Sequence, residues 1–144
     1  RELILGAVSI PFEKGLDGHS DADVLLHAIM DALLGAAGLP DIGQHFPPDD
    51  DRFKGADSAD LLAEVYRLIG SAGFGKVINI DATIMAERPK MNDYIPDMIE
   101  GIALILNVNE AAVSIKATTA EKLGFVGREE GIAASAVCLI SGDE

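Results

Sequence analysis

The chain has 144 residues, 49% of them hydrophobic and 24% charged, which is the length and balance of one folded domain whose core needs neither disulfide nor structural metal. Eleven Lys+Arg against 24 Asp+Glu leave a net charge of −13, a field that repels a phosphate backbone and argues against nucleic-acid binding. A single cysteine, Cys138, excludes an intrachain disulfide or a multi-Cys zinc site, and no apolar stretch reaches bilayer-spanning length, so no membrane partner is expected.

Residues 2–11 (ELILGAVSIP) are β-branched, are punctuated by Gly6 and predict a strand or hairpin. Residues 20–37 predict a helix capped by Ser20, with Asp23 three positions on, and ended by Gly38 and Pro40. Residues 38–55 are rich in Gly, Pro and Asp and read as loop. A second helix over 57–72 places Leu61, Leu62, Val65, Leu68 and Ile69 on one side. Residues 76–85 predict a strand, and residues 92–106 a third helix, against which Pro96 and Gly101 count. Strands over 112–116 and 132–140 flank a polar loop, 117–131, and Cys138 reads as a small core residue of the last strand. The order β-α-α-β-α-β-β predicts an α+β fold: a single-layer mixed sheet with helices packed on one face.

Several constellations bear chemistry. His19, Asp23, His27 and Asp31 recur every four residues along one face of the first helix. They read either as a metal-binding stripe, with Asp31 orienting the His27 ring, or as the polar side of an amphipathic helix. Asp41, Ile42 and Gly43 with Phe46, Pro47, Pro48, Asp49 and Asp50 form an acidic loop able to accept from polyol hydroxyls. Thr118, Thr119, Ala120 and Glu121 follow a strand and offer hydroxyls, backbone N–H groups and a carboxylate suited to phosphate and Mg²⁺. Arg88, Lys90, Lys116, Lys122 and Arg128 hold five of the eleven basic residues, which points either to an anionic ligand or to ordinary surface charge.

In order along the chain, GHSDADVLLH (18–27), DIGQ (41–44), FP (46–47), FKGADS (53–58), RPKM (88–91), KATTAEKLGF (116–125), GR (127–128) and EGIA (130–133) resemble one family. It is the 2-C-methyl-D-erythritol 2,4-cyclodiphosphate synthase family, and the likeness runs the whole chain as one domain. The resemblance implies a cytoplasmic enzyme in bacteria, or a plastid one in plants, working as a homotrimer with sites between subunits. It implies an intramolecular phosphoryl transfer on a nucleotide-diphosphate substrate, with release of CMP. It implies His27 as a Zn²⁺ ligand and Glu121 as the ligand of Mg²⁺ or Mn²⁺. His19 and Ser20 contact the erythritol phosphate, and Asp41, Ile42 and Gly43 hold the erythritol, with Phe46, Pro47, Pro48, Asp49 and Asp50 beside them. Ala86, Glu87, Arg88, Pro89, Lys90, Met91 and Asn92 form the cytosine pocket. Thr118, Thr119 and Ala120 bind the diphosphate, with Phe125 and Arg128 nearby and Arg128 also facing the trimer channel. Thr119, Glu121 and His19 are the groups placed at the reacting phosphates.

The sequence departs from that pattern in three places. Its one Asp-x-His run, Asp17-Gly18-His19, falls where the resemblance puts His19 on phosphate, and the expectation is that the Asp-x-His pair supplying the other two zinc ligands lies in an initial strand upstream of Arg1. Ala22 and Ala120 stand where Gly and Thr are usual, and Pro48 stands where an acidic residue is common. Two other functions fit the residues: a metal-dependent phosphohydrolase using the His19, Asp23 and His27 stripe, and a non-catalytic acidic binding subunit.

Overall fold

The computed structural model describes residues 2–13, 22–53 and 55–142. Strands β1 (Leu3–Leu5) and β2 (Val8–Ile10) pair as an antiparallel hairpin with Leu5 opposite Val8. Its two turn residues, Gly6 and Ala7, both have positive φ, the geometry that matches strand twist across a two-residue connection. Gly6 is also required sterically, since a Cβ there would lie 2.6 Å from Cγ of Met98.

Helix α1 (Val24–Ala36) is the centre of the core. Leu25, Leu26, Ile29, Met30, Leu33 and Leu34 are fully buried, each such side chain contributing about 1.5–3 kcal/mol of apolar burial. A one-turn helix α2 (Ile42–His45) and a 3₁₀ turn (Asp51–Phe53) interrupt the Gly/Pro/Asp-rich segment that follows. Helix α3 (Ser58–Ser71) turns Leu62, Val65 and Ile69 inward against α1. Strand β3 (Lys76–Met85) leads into α4 (Ile95–Leu106), β4 (Val113–Thr118), the one-turn α5 (Gly124–Gly127) and β5 (Ala133–Ser141).

The main sheet has the order β4-β3-β5, with β4 parallel and β5 antiparallel to β3. Val77, Ile80, Ala82, Ile84, Val113 and Ile115 line its buried face, which α1 and α4 cover. The register puts Asp81, Thr83, Lys116, Ser135 and Val137 on the other face, where Val137 is 66% and Leu139 58% exposed.

Four expectations are corrected here. The α+β class holds, but the described strands form two sheets rather than one, because β1 and β2 are three residues each and pair only with one another. Helix α1 is capped by Asp23, not Ser20; the Asp23 carboxylate accepts from Leu26 N–H, and Ser20 lies outside the described residues. The third helix starts at Ile95, and Pro96 supports it by sitting in the first turn, where its missing N–H forfeits no bond. Cys138 is half-buried at the strand edge of the core, and that burial pushes its thiol pKa up.

Candidate functional site

Two clusters hold the residues singled out by sequence. The first surrounds His27, one turn into α1. Its Nε2 lies 3.2 Å from Oγ of Ser58, which is fully buried at the start of α3. Asp31, a turn further along, is exposed and accepts from the N–H of Ile42 at 3.0 Å. It therefore ties α1 to the acidic loop and does not orient the His27 ring. Asp41 caps α2 by accepting from Gln44 N–H. Phe46 stacks edge-on against Phe53 at 5.2 Å, which folds the segment around Pro47 and Pro48 back on itself. Asp50 is paired bidentately with Arg52, whose guanidinium is held above its usual pKa by that bond, while Asp49 is exposed. Gly43 is exposed and Ile42 half-buried.

The stripe on α1 is not a row of available ligands. Asp23 is fully buried, and its carboxylate accepts from Gly6 N–H at 3.0 Å, Ala7 N–H at 2.7 Å and Leu26 N–H at 3.0 Å. A carboxylate so occupied joins the hairpin turn to the helix, and its full burial keeps it from a water nucleophile at the surface. That removes the structural basis for the phosphohydrolase reading. His19, like Ser20, lies outside the described residues.

The second cluster stands at the carboxyl ends of the parallel strands β3 and β4, where open sheets of this kind present their ligand sites. A cavity of about 260 Å³ there is lined by Ala86, Glu87, Pro89, Lys90, Met91, Asn92, Ala117, Thr118 and Thr119. Ala86 N–H donates to Thr118 O, carrying the strand pairing into the cavity rim. Glu87 accepts from Ala120 N–H at 2.6 Å. Glu121 and Lys122 both have positive φ, and the Glu121 side chain is exposed with no partner among the described residues. Phe125 is 53% exposed beside this loop. A larger cavity, about 580 Å³, opens at the opposite end of β3 between Tyr66, Lys76 and Asn109, away from every singled-out residue.

The basic cluster divides. Arg88 bridges Glu13 and Glu129 and lies over the ring of Phe12. Arg128 pairs with Glu130, and Lys116 with Asp81 on the open sheet face. Lys90 and Lys122 have no ion-pair partner among the described residues, and of the two Lys90 lines the cavity. Sequence reasoning missed Ser58 and the hold of Glu87 on Ala120. The run FKGADS pointed at the first only as a motif, and nothing local points at the second. No hydrogen bond or ion pair among the described residues joins the two clusters.

The metal sites differ in how the residues fit them. No group of three or more His, Cys, Asp and Glu is gathered for a cation among the described residues, so a zinc held by His27 would take its other ligands from outside them. Glu121 fits a Mg²⁺ better, because that ion commonly takes one protein carboxylate and completes its shell with phosphate oxygens and water.

A cavity over a pair of parallel strand ends, lined by Lys90, Glu87 and the two threonines Thr118 and Thr119, has the donor set of a phosphate-handling α+β protein. The chain belongs to the YgbB family, whose model matches residues 1–141. It is 60% identical over 142 residues to a 2-C-methyl-D-erythritol 2,4-cyclodiphosphate synthase of Symbiobacterium thermophilum, covering 99% of this chain and 90% of that one. Its structure resembles the bifunctional IspDF of Campylobacter jejuni, with a TM-score of 0.92 and 47% identity, over 99% of this chain and 39% of that longer one. It also resembles the Plasmodium falciparum IspF in a CDP complex, with a TM-score of 0.86 and 33% identity, over 99% and 85% of the two chains.

Proposed function

We infer that the chain is a 2-C-methyl-D-erythritol 2,4-cyclodiphosphate synthase, a phosphorus–oxygen lyase of non-mevalonate isoprenoid biosynthesis. The observation that carries this reading is the cavity shared by segment 86–92 and Thr118–Thr119, with the exposed carboxylate of Glu121 two residues further along the same loop. In the reaction, a 2-phosphate oxygen of 4-diphosphocytidyl-2-C-methyl-D-erythritol 2-phosphate forms a bond to the β-phosphorus. The bond from that phosphorus to the oxygen shared with the α-phosphate breaks, and CMP leaves with that oxygen and the electron pair.

Both reacting groups are anionic, and the protein's net charge of −13 opposes bringing them together. Positioning and local neutralisation therefore supply most of the catalysis. Segment 86–92 holds the cytosine, with backbone groups framed by Pro89 and Met91. Thr118 and Thr119 bind the diphosphate through hydroxyls and N–H groups, and Lys90 and Lys122 add positive charge. Glu121 would hold a Mg²⁺ or Mn²⁺, which when bound draws charge from the phosphoryl oxygens. Asp41, Ile42 and Gly43 hold the erythritol, with His19 and Ser20 on its phosphate. His27 is the one residue we assign toward Zn²⁺. The two clusters come together as one site between subunits of a homotrimer, and a cytoplasmic location in bacteria follows from the pathway. No helix of the described residues is long and apolar enough to cross a membrane.

The test is product analysis. The full-length protein with Mg²⁺ is expected to convert the substrate to cyclic diphosphate and an equal amount of CMP, with no inorganic phosphate. Glu121→Gln, which keeps the shape and removes the charge, is expected to lose most turnover and its Mg²⁺ dependence while folding as before. Release of inorganic phosphate, or full activity of the variant at low Mg²⁺, would overturn the reading.

A further inference from the structure

The loop from Thr118 to Gly124 does not hold its own shape. Glu121 and Lys122 have φ of 52° and 65°, and Gly124 follows at 69°. Two successive left-handed residues with side chains persist only where their surroundings fix them. Inside the loop, Leu123 N–H donates to Ala120 O at 2.9 Å and Glu121 N–H reaches Oγ1 of Thr119 at 3.3 Å. From outside, the backbone of Lys122 is packed so closely on Gly127 that a Cβ there would lie 2.2 Å from the Lys122 carbonyl carbon. Backbone bonds from Ala86 N–H to Thr118 O, Gly127 N–H to Leu123 O and Arg128 N–H to Gly124 O hold the loop's two ends, and the side chain that holds its middle is Glu87. Its Oε1 accepts from Ala120 N–H at 2.6 Å, a short charge-assisted bond in a part-buried setting.

Glu87 belongs to segment 86–92 and its acceptor grips the residue just before Glu121. We propose that Glu87 is a positioning residue, not a contact for the base: its carboxylate locks the Glu121 loop in register with the nucleotide segment. The inference rests on the function proposed above and deepens it. It makes Glu87 the side-chain tie that sets the loop bearing the metal-binding carboxylate against the nucleotide segment, beyond the backbone pairing of Ala86 with Thr118. It also explains how Ala120 serves there, since the bond uses only its backbone N–H.

Two variants and two readouts test this. Glu87→Ala removes the acceptor; Glu87→Gln keeps an oxygen in place without the charge. In the substrate-free full-length protein, Glu87→Ala is expected to speed amide exchange at Ala120, Glu121 and Lys122, and Glu87→Gln to restore slow exchange. In turnover, Glu87→Ala is expected to lose about 10–100-fold in kcat, with a raised Mg²⁺ requirement and KM changed by less than about threefold. Glu87→Gln is expected to recover most of it. Unchanged exchange in Glu87→Ala overturns the brace. Faster exchange with wild-type kcat overturns the positioning role, and so does a KM effect that exceeds the kcat effect, or a Gln variant as poor as Ala. If the unmutated protein forms no cyclic product, the proposed function fails by itself, and the exchange arm still decides whether Glu87 holds the loop.

Discussion

Asp23 shows how one side chain can be read correctly as polar and wrongly as available. Its fully buried carboxylate takes the Leu26 N–H in the first turn of α1 and both N–H groups of a hairpin turn sixteen and seventeen residues earlier. Losing an N-cap alone costs about 0.5–2 kcal/mol, and each buried donor left unpaired adds about 1–3 kcal/mol. Asp23→Ala is therefore expected to destabilise the chain by about 1.5–5 kcal/mol, read as the shift in denaturation midpoint. Asp23→Asn keeps one acceptor oxygen and is expected to lose roughly half as much. A small effect of Asp23→Ala, with loss confined to turnover, would return Asp23 to the catalytic stripe. The spacing of His19, Asp23, His27 and Asp31 is legible in sequence as a face. What each member bonds is not, because the partners Gly6, Ser58 and Ile42 arrive by tertiary folding.

Elements were more legible than their ends. The apolar run of α1 and the amphipathic pattern of α3 survive in the fold because burial enforces their period. The start of α4 did not, because Pro96 is costly inside a helix and harmless in its first turn. The loop after β4 was read as irregular and contains α5, whose single turn is too short to show a period. That turn has a mechanical role that can be measured. Gly127 faces the Lys122 backbone with no space for a methyl group, and backbone atoms, unlike a flexible side chain, cannot swing aside. Gly127→Ala is expected to push the Glu121 loop outward. Overpacking of this kind costs about 1–3 kcal/mol, so the melting temperature should fall modestly, while turnover falls about 10–100-fold because Glu121 is displaced. Wild-type kcat in Gly127→Ala would show that the loop position is not critical.

At the scale of the whole molecule, the unused half of the main sheet calls for an explanation. Helices α1 and α4 cover one face, and β5 leaves Val137 and Leu139 open on the other, next to the Lys116–Asp81 ion pair. An antiparallel edge can face water with a polar surface, but these two positions are apolar. Among the described residues no side-chain bond joins the two clusters of site residues, although the proposed reaction needs both at one substrate. Self-association resolves both points if the open faces meet around a threefold axis and bring one cluster of each chain to the other cluster of its neighbour. Copies carrying −13 each repel, so the contact must come from buried apolar area: salt, which screens the repulsion, should strengthen it, whereas an inserted charge should break it. Light scattering of the full-length protein is expected to give three times the chain mass. Val137→Glu separates the alternatives. On the surface of a monomer, such a change alters stability by less than about 0.5 kcal/mol and leaves turnover alone. In the trimer it puts three carboxylates into one apolar contact, so the mass should fall to that of one chain, with helical content retained and turnover lost. A wild-type monomer at micromolar concentration, or a Val137→Glu protein that stays trimeric and active, would exclude this face as the interface.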